Sequence, residues 1–186
     1  MADADVIVVG AGHNGLICAS YLARARFDTL VLESRPTVGG CSSTVSALGA
    51  RFNICSCEHS VIRAMDVIDD LDLTAHGLHY LEADANSVNV FYDDSEPWVH
   101  FHDPEQTIES LAATYPNQVD GYRRYLADAM PVAELALEIA RTPPSLRRFA
   151  ATVGRRGRAA ARLLNWDKRT ANDVMADYFD DWRVSM

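Results

Sequence analysis

The stretch VIVVGAGHNG, residues 6–15, restricts the fold more than any other part of the chain. Val6, Ile7, Val8 and Val9 form a short run rich in β-branched side chains and bounded by glycine, the pattern of a strand buried on both faces of a parallel sheet. Gly10, Gly12 and Gly15 follow at Gly-x-Gly-x-x-Gly spacing, and in the next segment, LICASYLARAR, Leu16, Ala19, Tyr21, Leu22 and Ala23 mark the packed side of a helix. Strand, glycine turn and helix in this order suit a nucleotide. Gly10 permits the tight turn, Gly12 lets a pyrophosphate approach the backbone, and Gly15 lets the helix lie close to the strand. The helix N-terminus then offers N–H groups and partial positive charge to the phosphates.

A second strand, DTLVLE, ends on Glu33, close to the roughly 20-residue spacing at which an acid accepts hydrogen bonds from a ribose hydroxyl. A carboxylate there also repels a 2′-phosphate, which disfavours NADP. Beyond it, ESRPTVGG brings Gly39 and Gly40 side by side. Paired glycines at this place fit backbone passing close to the same ligand, with a plain turn after Pro36 as the alternative.

These three features together resemble the FAD-binding signature of the phytoene desaturase, carotenoid isomerase and amine oxidase superfamily. GAGHNGLICASYLA is most similar to its phytoene-dehydrogenase-like branch. The resemblance spans residues 5–44. It implies FAD bound in extended form, with Gly10, Gly12 and Gly15 at the pyrophosphate and His13 and Asn14 between them. Glu33 would hold the adenosine ribose, and Ser34 and Arg35 would lie along the adenosine end. Gly39 and Gly40, with Cys41 and Ser42 after them, would run towards the phosphates and ribityl chain. Two positions depart from the pattern: Cys41 stands where amine oxidases commonly carry Arg, and Asn53 follows Phe52 where many carotenoid enzymes have Asp.

The expected fold class is α/β, a Rossmann-like FAD-binding domain incomplete in this chain, followed by the start of an α+β substrate domain. The boundaries expected are 1–60 for the first and 61–186 for the second. SVIRAMDVIDDLDL has helical spacing, HGLHYLEA reads as a strand, and SVNVFYDDSEPWVHFHD alternates around a turn as a β-hairpin. Asp103 followed by Pro104 predicts a helix start, Pro116 its stop, and Pro131 a kink or break in the next helix. Near the end, Thr170 and Asp173 predict a capping box. The following Val174, Met175, Tyr178, Phe179 and Trp182 form an apolar stripe expected to need a cover from outside the chain.

Composition narrows the function classes. The 186 residues carry a net charge of -9, yet residues 141–169 hold nine Lys or Arg against Asp167 alone, a local +8 that leaves -17 for the remainder. That basic segment reads as a solvated face, a protein interface or a peripheral contact with an anionic membrane. Nucleic acid is not expected, because no aromatic-plus-basic binding module accompanies the charge. Cys18, Cys41, Cys55 and Cys57 lack metal-site spacing and read as reduced thiols; no metal is assigned, including at His100 and His102. The acidic start, MADADVIVVG, lacks the positive charge of a secretory signal and points to the cytoplasm.

What the resemblance implies for activity is FAD-dependent oxidation of a small organic, apolar substrate by hydride removal, with desaturation preferred over amine-oxidase-like C–N oxidation. A non-catalytic binding module of the Rab GDP-dissociation-inhibitor type is the alternative of another class. No catalytic residue is assigned, since such groups would sit by the flavin ring. Two visible strands do not close a sheet, so a second polypeptide supplying the C-terminal half is the expected partner.

Overall fold

The computed structural model describes residues 3–55, 59–141 and 145–185. The chain divides into two compact units, residues 1–79 and 80–186. Residues 61–79, placed with the substrate domain by sequence, thus cluster with the first unit.

In the first unit, β1 (Val6–Val9) pairs in parallel with β2 (Thr29–Leu32), Val6 opposite Thr29 and Val9 opposite Leu32. The connecting helix α1 (His13–Arg24) covers one face of the pair, burying Ala19 and half-burying Leu16 and Leu22; Tyr21 and Ala23, expected on the packed side, are exposed. Because side chains alternate along a strand, Ile7, Val9, Leu30 and Leu32 share the opposite face. They are 56%, 83%, 41% and 47% exposed. The strand expected to be buried on both faces is therefore half-buried on one, through Val6 and Val8, and open on the other among the described residues.

A hairpin follows: β3 (Thr44–Ala47) pairs antiparallel with β4 (Ala50–Asn53) through Leu48 and Gly49, both at positive φ. Two left-handed residues match the twist of a two-residue hairpin. SVIRAMDVIDDLDL forms two short helices, α2 (Ser60–Arg63) and α3 (Val67–Asp70), in place of one. The Tyr21 hydroxyl donates to Asp70 at 2.6 Å, tying α3 to α1.

HGLHYLEA, residues 76–83 at the boundary of the two units, forms no strand. In the second unit the hairpin is present, with β5 (Ala85–Asn89) antiparallel to β6 (Trp98–Phe101). Helix α4 (Pro104–Thr114) starts where Asp103 accepts from the Glu105 N–H at 2.8 Å. The fully buried Thr107 accepts from the Phe101 N–H, and Ser110 accepts from the Val99 N–H, both at 2.9 Å, so α4 is pinned to β6. Helix α5 (Val119–Arg141) runs through Pro131 without a break. It is followed by α6 (Leu146–Arg155), α7 (Gly157–Trp166) and α8 (Ala171–Met175), the last opened by the expected capping box of Thr170 and Asp173.

The apolar stripe after Thr170 is covered within the chain, against expectation. Val174, Tyr178 and Phe179 are buried with Phe91, Trp98, Ile108, Leu111, Tyr122 and Val184 in one core. Gly121 lets α5 approach: a Cβ there would meet the Tyr178 carbonyl oxygen at 2.1 Å. Trp182 is 38% exposed and stacks with Tyr92. A second core joins Val132 and Leu135 of α5 to Ala159 and Ala160 of α7.

Of the nine cations of the basic segment, Arg155, Arg156, Arg162 and Arg169 are paired with acids of the same unit. Arg155 and Arg156 both bond Glu138, at 2.5 and 2.8 Å, and Arg156 adds Glu134 at 2.7 Å. Arg162 pairs with Asp128 at 2.7 Å and Arg169 with Asp177 at 2.6 Å. Acids of α5, distant in sequence, supply the counter-charges of Arg155, Arg156 and Arg162, while Arg169 finds its own nearby in Asp177.

Candidate functional site

The glycine turn sits at the C-terminal end of β1, where open α/β sheets bind ligands. Gly10 adopts φ +98, a left-handed conformation that glycine takes at little cost. Its N–H donates to the Leu32 carbonyl at 2.7 Å, fixing the turn to the end of β2. Gly12 is the N-cap of α1 and has no side chain with which to cap it. The first N–H groups of a helix lack intrahelical partners, so His13 and Asn14, both exposed, begin an α1 whose positive end faces the turn. Gly15 is required by packing: an added Cβ would lie 2.0 Å from the Gly10 carbonyl oxygen.

Glu33, just past β2, reaches back to the turn. Its Oε2 accepts from the Ala11 N–H at 2.8 Å, while Oε1 accepts from the Arg35 N–H at 2.9 Å and from the Ser34 hydroxyl at 3.3 Å. The backbone N–H of Arg35 and then that of Ala11 hold its carboxyl below the ordinary glutamate value. A carboxylate offers about four acceptor sites, so these three bonds leave room for one donor from a ligand.

The double glycine closes the same site. Gly39 donates to the Ala11 carbonyl at 2.8 Å and makes a parallel bridge with Gly12. Gly39 and Gly40 have φ +112 and +59, and a Cβ on Gly40 would stand 3.0 Å from the Gly12 Cα. The plain-turn alternative therefore omits half of what the pair does, since it lies directly on the first glycine turn. Cys41 and Ser42 are exposed in a short 3-10 turn, Gly40–Ser42, that leads away from it.

The fold thus brings Gly10, Gly12, Glu33, Gly39 and Gly40 together and puts His13, Asn14, Cys41 and Ser42 at the rim. Ser34 and Arg35 serve through Glu33, and the Arg35 side chain is exposed. Ala11 was missed by the sequence reading; it is 1% exposed, gives its N–H to Glu33 and its carbonyl to Gly39, and so links all three segments. Its small size between two glycines was the available signal. Ser43 was also missed: its hydroxyl donates to the Gly40 carbonyl at 2.8 Å and holds the second turn.

Cys18, Cys41 and Cys55 are free and exposed, while Cys57 lies outside the described residues. The His100 ring lies tilted against Trp98, with centroids 4.2 Å apart, and its burial lowers its pKa. No helix among the described residues is long and apolar enough to cross a membrane.

Residues 8–94 match the model of the NAD(P)-binding Rossmann-like domain. A limonene dehydrogenase subunit of Castellaniella defragrans is 34% identical over 119 residues, which are 64% of this chain and 22% of that protein. The mouse pyridine nucleotide-disulfide oxidoreductase domain-containing protein 2 is 41% identical over 75 residues, 40% of this chain and 13% of that one. Among solved structures, a redesigned putrescine oxidase matches 98% of this chain and 35% of its own, with TM-score 0.55 and 21% identity, a likeness of fold. The chain spans about a fifth of the first of these relatives.

Proposed function

We propose, from the match of residues 8–94 to the NAD(P)-binding Rossmann-like domain, that the dinucleotide held here is FAD and that the chain is part of a flavin-dependent oxidoreductase. The observation that carries this reading is the apposition of Gly39 and Gly40 to Gly12. The first glycine turn serves any dinucleotide. A second glycine segment laid on it, with no side chain at the contact, suits a ligand that continues past the pyrophosphate as a flexible ribityl chain. The residues fit such a ligand: a Cβ at Gly10 would meet nothing within 4 Å, so space is open in front of the turn, while Gly15 and Gly40 are closed behind it.

In this reading the backbone of Gly10, Gly12, His13, Asn14 and Gly15 holds the phosphates. Glu33, already fixed by Ala11, Ser34 and Arg35, accepts from the adenosine ribose, and its charge rejects a 2′-phosphate. Gly39, Gly40, Cys41 and Ser42 border the ribityl side. FAD, when bound, supplies two-electron acceptance from an organic substrate. The chain's own part is to bind and orient it.

The second unit, from residue 80, is the beginning of the substrate side. Further polypeptide then completes the sheet and covers Ile7, Val9, Leu30 and Leu32, whose exposure supports that requirement. The names of the relatives, a limonene dehydrogenase subunit and a putrescine oxidase, support dehydrogenation of a small organic molecule, with an apolar substrate preferred.

The test is the identity of the released cofactor. Gly12 has φ -70 and ψ 170, and a Cβ there would meet only Gly40 Cα at 3.9 Å. Gly12→Val therefore keeps the fold while filling the space in front of the turn. Denaturation of purified wild-type protein should release FAD, identified by mass and absorbance, and the variant should release none with unchanged circular dichroism. Release of NAD alone, or full retention by the variant, would overturn the assignment.

A further inference from the structure

After the ion pairs of Arg155, Arg156, Arg162 and Arg169 are set aside, a smaller basic feature remains at the start of α6. Arg147 and Arg148 have no carboxylate partner among the described residues, and every residue from 145 to 151 is exposed. Leu146 is 85% and Phe149 49% exposed, one helical turn apart and so on one face. The other end of the helix is anchored: Thr152 is buried and bonds Glu138, and Val153 packs on the second core. Helix α6 is therefore held at its C-terminal half and projects an apolar edge flanked by guanidinium groups at its N-terminal half.

We infer that this end of α6 is a peripheral docking site for an anionic lipid surface. Charge complementarity picks the occupant. Arginine stems can lie along the headgroup layer with the charge at the phosphates while Leu146 and Phe149 enter the acyl boundary. A protein partner fits less well, because two apolar side chains present far less than the roughly 800 Å² per side of a standard interface. The chain's overall charge of -9 opposes approach to such a surface, so the attraction is confined to within about one Debye length, ~8 Å at physiological salt. Binding is accordingly weak, reversible and sensitive to salt.

The full chain is sedimented with sucrose-loaded vesicles of phosphatidylcholine containing about one third phosphatidylserine, and with phosphatidylcholine vesicles alone. Binding should require phosphatidylserine and fall sharply at high salt. Each cation near an anionic leaflet contributes about 1 kcal/mol, so Arg147→Glu/Arg148→Glu should weaken partitioning by at least about thirty-fold. Arg51→Glu/Arg124→Glu, with the same change of net charge elsewhere, should leave it within about threefold if the patch and not total charge governs. Phe149→Trp should show a blue-shifted emission on phosphatidylserine vesicles and quenching by brominated acyl chains. Equal loss in both double variants, absence of phosphatidylserine-dependent binding, or an unshifted Trp emission with bound protein would each overturn the proposal. Binding to an acidic polypeptide with none to vesicles would replace it with a protein interface.

Discussion

Gly15→Ala adds one carbon and should disable the nucleotide site. The new Cβ would sit 2.0 Å from the Gly10 carbonyl oxygen and 3.2 Å from its carbon, with Val8 Cγ1 at 3.6 Å behind. Restoring ordinary contact, 3.4 Å or more, requires a movement of about 1.4 Å between α1 and β1. The obstacle is backbone at the turn itself, so no side chain can swing away. Overpacking of this kind costs about 1–3 kcal/mol, and a clash against backbone belongs at the upper end. For a unit of 60–100 residues each kcal/mol lowers the melting midpoint by roughly 4–8 °C, so a loss of about 2–3 kcal/mol corresponds to roughly 8–24 °C. The same movement displaces the Gly10 turn and the first N–H groups of α1, and cofactor should be lost on gel filtration. Gly154→Ala is the matched control, since a Cβ there meets nothing within 4 Å and alanine in a helix is favoured by up to about 1 kcal/mol. Thermal unfolding by circular dichroism and cofactor content after gel filtration are the measurements. A Gly15→Ala protein with wild-type midpoint and wild-type occupancy would refute the close-packing argument.

Leu111→Ala and Leu135→Ala, each removing a side chain with no exposure, should each cost about 2–5 kcal/mol in urea denaturation; a smaller loss at either site would show that core to be loosely formed. Phe179→Ala should cost about 3–5 kcal/mol if the C-terminal stripe is covered within the chain, whereas near-neutrality would return it to the surface. The Glu33 carboxyl is held below its ordinary value by the N–H groups of Arg35 and Ala11, so its contribution is complete above about pH 4.5 and fades as pH falls through the folded value. Wild type should lose stability over that acid range more steeply than Glu33→Gln, and parallel profiles would remove the carboxylate from the turn. Burial and the bond to Asp128 push the Tyr178 hydroxyl up to about 12. Its neutral form therefore stabilises the fold below pH 10 and stops doing so between pH 10 and about 12, a sensitivity that Tyr178→Phe should abolish in alkaline unfolding.

The elements that could be read correctly are those whose cause is local. Asp103 with Pro104, the stop at Pro116 and the capping box of Thr170 and Asp173 each depend on residues within one turn, and each is where the sequence put it. The glycine turn and Glu33 were legible for the same reason, although the Glu33 bond to Ala11 spans 22 positions. Errors came where a distant partner decides. HGLHYLEA has strand-like composition but no neighbouring strand to pair with. The stripe of Val174, Tyr178 and Phe179 looked uncovered because its cover comes from residues 91–122, and Ile7 and Val9 looked covered because a parallel sheet ordinarily has two layers. Three cations of the basic segment, Arg155, Arg156 and Arg162, likewise find their counter-charges on the distant α5.

The junction between the hairpin and the chain's last turns has a consequence for synthesis. The Trp98 indole N–H donates to the Arg183 carbonyl across 85 positions, Arg183 bonds Asp93, and Val184 is buried in the same core. A chain emerging N-terminus first at about 5–20 residues per second exposes Trp98 roughly 4–17 s before Arg183 is made. For most of that interval Phe91, Trp98, Ile108 and Leu111 lack Tyr178 and Phe179, two of the aromatic side chains of their core. Contacts of such high sequence separation also form slowly, because loop closure must precede their reward. A ribosome stalled before Tyr178 would therefore hold out an open aromatic core.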